Sequence, residues 1–280
     1  IWTGRGFSVD GTPTRVLAYG LSASGWSDEL TEFHEETSGE NHYIDVASRR
    51  HAMQEIETRV KQPEATIIDI GCSSGFMIKS LRARFPKATI IGADYIRGAM
   101  ERLAESLPDV PFLQLDLTQC PLPDDIADAV VLLNVLEHIE DDRAAIRHLF
   151  RILKPGGFAV IEVPAGPHLY DIYDKQLMHV RRYSMPQLTQ ELQGAGFRLV
   201  RQSYLGFLLY PAFYAVKKRN QKFLKSSASE QRRKVAKQIQ TSSSSPVLHW
   251  LMRCEAALRG IIPYPTGIRC LVTCQKPASV

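Results

Sequence analysis

The sequence predicts an α/β domain: a mostly parallel sheet with helices on both faces. Three observations carry this reading. Short apolar, β-branched runs recur through the middle of the chain, each is followed by a stretch of helical periodicity, and glycine-rich or polar turns separate them. Parallel strands joined by crossover helices require that alternation. With 280 residues, 44% hydrophobic and 23% charged, the chain can bury one substantial core and carry a smaller cap. A formal charge of +4 is too mild to imply nucleic acid.

Residues 1–25, rich in Gly, Ser and Thr, read as irregular, and Ser27 to about Val60 reads as polar and helical. Ala65–Ile70 is the first strand, Gly71–Gly75 a turn and Phe76–Phe85 a helix. Ala88–Ala93 is the second strand, with a helix to about Leu107, and Val110–Leu115 is the third. Ala127–Leu133 is the fourth, followed by a helix over Asp142–Leu153, a turn at Lys154–Gly157 and a fifth strand at Phe158–Val163. Met185–Gln193 reads as a helix stopped by Gly194 and Gly196. Phe197–Tyr204 and Gly267–Cys274 read as two late strands. The expected division is an N-terminal helical or lid segment over 1–60, a main domain over 61–204 plus 267–276, and a helical cap over 205–266.

No basic stretch followed by an apolar run opens the chain, so no signal peptide is expected. Five scattered cysteines fit a reducing, cytoplasmic setting better than a disulfide framework. Cys270 and Cys274 lack partners at zinc-ligand spacing and read as strand cysteines.

The strongest chemical signal is Asp69-x-Gly71-x-x-x-Gly75, where the first strand meets its helix. Glycine lets the backbone approach a ligand, and a helix N-terminus offers unpaired N–H groups. A carboxylate two residues before Gly71 would repel a pyrophosphate but suits a cationic amino group. Asp94, ending the second strand, is placed for a ribose diol. Asp116, after the third, can accept from an adenine amine. Three acids at successive strand ends describe a nucleoside with a positively charged tail. A nicotinamide dehydrogenase needs Gly-x-Gly-x-x-Gly, but Ser73 and Phe76 stand in the decisive positions. The Tyr214-to-Lys218 spacing that a reductase would use lies in the cap instead.

This ordered set resembles the class I S-adenosylmethionine-dependent methyltransferases, particularly the small-molecule type 11/12-like group, over about residues 63–204. Asp69, Gly71 and Gly75 match the first motif, with Cys72 and Ser73 inside the loop. Asp94, followed by Tyr95, matches the ribose-binding acid. Asp116-Leu117 matches the adenine-side motif, and Asn134 to His138 the stretch between cofactor and acceptor. Ser73 departs from the second glycine of many members. The resemblance implies a Rossmann-like, seven-stranded sheet of order 3-2-1-4-5-7-6 with the last strand antiparallel. It implies S-adenosylmethionine as methyl donor and S-adenosylhomocysteine as product.

Methyl transfer from a sulfonium is governed by positioning, and a base is needed only for a protonated acceptor. His138 is the candidate general base, with a bland alternative as a turn-packing residue. His179 and Tyr183 are further catalytic candidates; Glu137, Tyr170, Arg181 and Arg182 are candidates for holding the acceptor. Related quinone-pathway O-methyltransferases carry a metal-linked Glu-x-x-Glu-His here. Asn134 replaces the first Glu, so no metal is expected. His34 and His42 are candidates for a lid.

The cap begins with an apolar run, 205–216, too short to span a bilayer. Nine Lys and Arg follow between Lys217 and Lys237, against the single acid Glu230. Thr241–Ser245 reads as a flexible break, and 247–262 as an amphipathic helix with Leu248, Leu251, Met252 and Leu258 on one side. The cap can cover a hydrophobic acceptor, rest peripherally on an anionic membrane through 205–240, or be an ordinary solvated basic helix. The expected partner is a small or lipid-like acceptor with apolar bulk and an anionic group, not nucleic acid, since aromatics are not interleaved with the basic residues. A nucleic-acid methyltransferase and a non-catalytic cofactor-binding relative are the alternatives.

Overall fold

In a computed structural model, residues 2–4, 6–18, 40–243, 245–258 and 264–278 are described. The expected first strand forms as β4 (Thr66–Ile70), buried along its whole length, as a strand covered on both faces must be. Around it lie β5 (Thr89–Asp94), β6 (Phe112–Gln114), β7 (Ala127–Leu133), β8 (Leu153–Pro164), β9 (Arg198–Leu205) and β10 (Arg269–Gln275). With Val16–Ala18 as β3, the sheet order is β3-β6-β5-β4-β7-β8-β10-β9. Beyond β3 this is the 3-2-1-4-5-7-6 arrangement, with β10 antiparallel to both neighbours.

The N-terminal region departs from the irregular segment expected. Phe7–Val9 (β1) and Thr12–Thr14 (β2) form a hairpin, and Val16–Ala18 (β3) adds an eighth strand parallel to β6. The turn between β1 and β2 is Asp10-Gly11, both at positive φ, a two-residue hairpin signal readable in the sequence. The turn expected at Lys154–Gly157 is instead absorbed into β8. Gly156 N–H donates to the Lys276 carbonyl and Lys276 N–H to that of Gly157, so pairing with the C-terminal segment extends the strand backwards.

Helices cover both faces. α1 (Tyr43–Arg59) is the described part of the expected N-terminal helical segment. Its Ala52 and Ile56, with Val60, share a core cluster with Ile67, Ile78 and Val131, so the helix belongs to the main body rather than to a separate segment ending at 60. α2 (Phe76–Arg84), α3 (Arg97–Ser106), α4 (Asp142–Ile152) and α6 (Met185–Gly194) are the crossover helices, and the short α5 (Ile172–Gln176) lies in the loop after β8.

The cap is three helices: α7 (Tyr210–Gln221), α8 (Ala228–Ser243) and α9 (Pro246–Leu258). The break expected from Thr241 is narrower, because α8 continues through Ser243. Leu248, Leu251 and Met252, expected on one side of this helix, share a cluster with Ile44 of α1, whereas Leu258, expected beside them, remains 37% exposed. Buried Glu255 of α9 accepts from the backbone N–H of Gly206 and Leu208, pinning the cap where β9 ends. No helix among the described residues is long and apolar enough to cross a membrane. All five cysteines are free, and Cys270 and Cys274 are buried in β10.

Candidate active site

The carboxyl ends of β4, β5, β6, β7 and β8 open into one cavity of about 1600 Å³, roofed by α1, α7 and α8. A site for one drug-sized ligand is about 300–1,000 Å³, so this volume has room for a nucleoside cofactor and an acceptor together.

The loop after β4 supplies one wall. Gly71 has φ +77, and a Cβ there would collide with Val135 Cγ2, so the position calls for glycine. Ser73 has φ +39, a left-handed conformation that a second glycine would adopt without strain. Its N–H donates to Asp94 Oδ2 at 2.9 Å, and Ile96 N–H to Asp94 Oδ1 at 3.0 Å. The expected ribose acid is thereby fixed at the edge of the glycine loop. Asp116 Oδ1 is likewise held by the N–H and hydroxyl of Thr118.

Asp69 is 3% exposed, and its Oδ2 has no partner. Burial, reinforced by the nearby Asp94 charge, pushes its carboxyl up to about 7. A buried acid with an unpartnered oxygen on a cavity wall is a site prepared for a cation. The orphaned oxygen and the Gly71 cradle together fit S-adenosylmethionine, whose tail carries an ammonium. Cys72, Tyr95, Leu117 and Asn134 also line the cavity. Burial, with Asp94 and Asp69 nearby, holds the Cys72 thiol well above its usual range, so it stays protonated. Gly75 stands behind the loop as the cap of α2, where a Cβ would meet Leu103 at 2.6 Å.

Another part of the cavity wall is assembled from two segments. A 3-10 turn, Leu136–His138, follows β7, and the loop after α5 carries His179; Val180 N–H donates to the Glu137 carbonyl at 2.8 Å and fastens them together. The rings of His138 and His179 meet edge to face at 4.8 Å between centroids. Glu137 is fully buried, neither of its carboxylate oxygens has a partner, and burial pushes the group up to about 8. One donor atom from each of Glu137, His138 and His179 lies within 4.8 Å of the others, a set able to hold a metal ion.

Behind His179 lies a buried charge cluster. Asp174 accepts from His179 Nδ1 at 2.9 Å, from Arg182 Nη1 at 2.8 Å and from Lys217 Nζ at 2.8 Å, and Lys217 also reaches Asp171 at 2.7 Å. Burial favours a neutral Asp174, but Lys217, His179 and Arg182 outweigh it and hold the carboxyl well below its usual range. His179 therefore donates its Nδ1 proton to an ionised Asp174. Burial keeps His179 below its ordinary value, which leaves Nε2 unprotonated.

Three expected residues do other work. Tyr183 is fully buried and donates to Asp142 Oδ2 at 2.6 Å; burial and that bond raise its hydroxyl far above its usual range, so it is a core tyrosine and not a catalytic one. Arg181 turns away from the cavity to pair with Asp142 and the Glu140 carbonyl. Tyr170 spends its hydroxyl on the His179 carbonyl. Arg182 does line the cavity, but its guanidinium is committed to Asp174 and to the carbonyls of Ala165 and Ile268. His42 lines the cavity at the start of α1; His34 falls outside the described residues.

Sequence reading missed Arg269 of β10. It pairs with Glu162 and Asp45 and bonds Ser48, and Glu162 also accepts from Asn134, joining α1 to the cavity floor. The signal was there: an acid and a base inside apolar strands, Val160-Ile-Glu162-Val and Ile268-Arg269-Cys-Leu, each need a partner.

A probable S-adenosylmethionine-dependent methyltransferase of Mycolicibacterium smegmatis is 29% identical over 138 residues, covering 48% of this chain and 52% of that protein. A trans-aconitate 2-methyltransferase of Variovorax paradoxus is 32% identical over 117 residues, covering 41% and 45%. The chain thus spans about half the length of the curated relatives it matches. Among solved structures, the [4+2]-cyclase SpnF superposes with a TM-score of 0.58 at 17% identity, covering 89% of this chain and 93% of that one, a likeness of fold alone. The profile of the family described as "Methyltransferase domain" matches residues 41–202, more than half of the sequence. The chain belongs to that methyltransferase-domain family.

Proposed function

We propose that the protein transfers a methyl group from S-adenosylmethionine to a small, lipid-like acceptor with apolar bulk and an anionic group. The observation that carries the reading is the single cavity in which the orphaned Asp69 carboxylate and the Glu137–His138–His179 corner face common space. The relative that acts on trans-aconitate, named for a small acidic molecule, supports an acceptor of that general class.

Asp69 would hold the ammonium, Asp94 the ribose hydroxyls and Asp116 the adenine amine. When bound, the cofactor supplies a methyl on a positively charged sulfur, already activated for displacement. The protein's task is then to align an acceptor atom behind that carbon and to exclude water. For a hydroxyl acceptor, His138 takes the proton at a ring nitrogen as the bond to carbon forms. The cavity is also lined by Leu209, Phe213, Val216 and Phe223, suiting an apolar body. Lys175, Arg219, Lys234 and Lys237 line it as well, which suits an anionic group.

The test is to incubate the protein with methyl-labelled S-adenosylmethionine and a cell extract split into organic and aqueous fractions. Label is expected in an anionic, organic-soluble product, with turnover slowed at least tenfold in His138→Ala. Label confined to neutral aqueous metabolites would overturn the acceptor class, and no transfer to any fraction would overturn the activity.

A further inference from the structure

Glu137 poses a problem that methyl transfer alone does not solve. Its carboxyl group is 0% exposed and neither oxygen has a hydrogen-bond partner. An unpaired buried carboxyl costs several kcal/mol in an apolar setting, and the nearby Arg269 and Arg182, which favour its charge through space, do not hydrogen-bond it. Arg182 is taken up by Asp174 and two carbonyls, and Arg269 by Glu162, Asp45 and Ser48.

Two imidazoles converge on the same spot, and one is prepared in a particular way. His179 gives its Nδ1 proton to Asp174, which is itself clamped by Lys217 and Arg182. A carboxylate behind an imidazole fixes the tautomer and aims the opposite nitrogen, the arrangement that orients metal-ligating histidines. The Val180-to-Glu137 backbone bond holds the two donor segments in register.

We propose that Glu137, His138 and His179 bind one divalent transition-metal ion, Zn²⁺ fitting best, on the acceptor side of the cavity. Two nitrogen donors and one oxygen favour Zn²⁺ and its neighbours over Mg²⁺ or Ca²⁺, which take all-oxygen sets. The three donor atoms lie within 4.8 Å of one another. Tetrahedral Zn²⁺, with bonds of about 2.0–2.2 Å, needs ligand atoms about 3.3 Å apart, so the three donors would draw together as the ion binds. The third donor is His179, from a different loop than the Glu-x-x-Glu-His stretch; Asn134 holds the place of that stretch's first Glu and donates to Glu162.

Three protein ligands leave a coordination position open, as in catalytic rather than structural zinc sites. That this position faces an acceptor rests on the function proposed above; the binding of the ion does not. An acceptor hydroxyl occupying it would be acidified and lose its proton to solvent; His138 is then a ligand, and the base role given to it above applies to the metal-free site.

The experiment is calorimetric titration of chelator-treated, full-length protein with Zn²⁺, and with Co²⁺ read by its visible spectrum. One ion per chain is expected, with nitrogen and oxygen ligation and no thiolate charge-transfer band. Glu137→Gln, which keeps the shape of the buried group, and His179→Ala should each abolish binding, and Asp174→Asn should weaken it by roughly 10–100-fold. Titration with S-adenosylhomocysteine on the same samples reports folding and separates this proposal from the cofactor assignment. No ion bound by wild-type protein, thiolate ligation, or binding undiminished in both Glu137→Gln and His179→Ala would overturn the site.

Discussion

At the scale of single residues, Asp69 links burial to cofactor recognition. It needs to be ionised to attract an ammonium, yet burial pushes it up to about 7. Protonation therefore competes with the ligand. Affinity for S-adenosylhomocysteine should fall by up to about tenfold per pH unit below 7 and level off above it. Asp69→Asn should bind weakly and without that slope. A wild-type affinity constant between about pH 5.5 and 8 would contradict this assignment. Gly71 makes a steric prediction of the same kind. With φ +77 and a prospective Cβ colliding with Val135, Gly71→Ala should destabilise the protein by about 1–3 kcal/mol and weaken cofactor binding, checked by thermal denaturation and calorimetry. These positions were legible in the sequence because a glycine loop and strand-end acids are local patterns. Tyr183 was not. In sequence it sits beside Arg182 in an attractive polar string, and only tertiary packing turns it into the core towards Asp142.

Among elements, the link between cap and sheet is electrostatic as much as apolar. Lys217 of α7 is 3% exposed and bridges Asp171 and Asp174, which are fully buried. Removing one partner of such a cluster strands the other charges, at about 3–5 kcal/mol. Lys217→Ala should lower stability by that amount, and amide exchange should quicken in α7 and in the loop carrying His179. Unchanged exchange in both would show that the cap is held by other means. The sequence marked the cap as an interruption of the α/β rhythm, but its lysines read as one solvated basic run. Nothing local distinguishes Lys217, which is buried, from Lys218 beside it. The contrast with β1–β2 is instructive: the hairpin was announced by Asp10-Gly11, whereas the place of β3 beside β6 depends on a distant partner.

For the whole molecule, the cavity gathers apolar and cationic groups at its rim. Met178, Val180 and Val216 line it and are 43–44% exposed, with Lys175 and Arg219 also exposed. An amphipathic acceptor could enter there from an anionic lipid surface, which motivates a further expectation. The protein should co-sediment with vesicles containing anionic lipid, less so at high salt, and not with neutral ones. Failure to bind either kind would remove the membrane from the account. The strands and crossover helices were legible because each strand–helix repeat is itself a sequence pattern, whereas their order in the sheet came from the resemblance to the class I methyltransferases. The joining of Glu137 and His138 to His179 was not legible, since it depends on how two loops 41 residues apart in sequence, from 138 to 179, meet over the end of the sheet.

The central claim is that the ends of β4, β5 and β6 form a site for S-adenosylmethionine. Calorimetric titration with S-adenosylhomocysteine tests it most directly, using wild-type protein and Asp94→Ala. One molecule bound per chain is predicted, with affinity reduced roughly 10–100-fold in the variant, as expected for lost hydrogen bonds of about 1.5–3 kcal/mol to a charged group. No binding to the wild type, or equal binding by both proteins, would contradict the account.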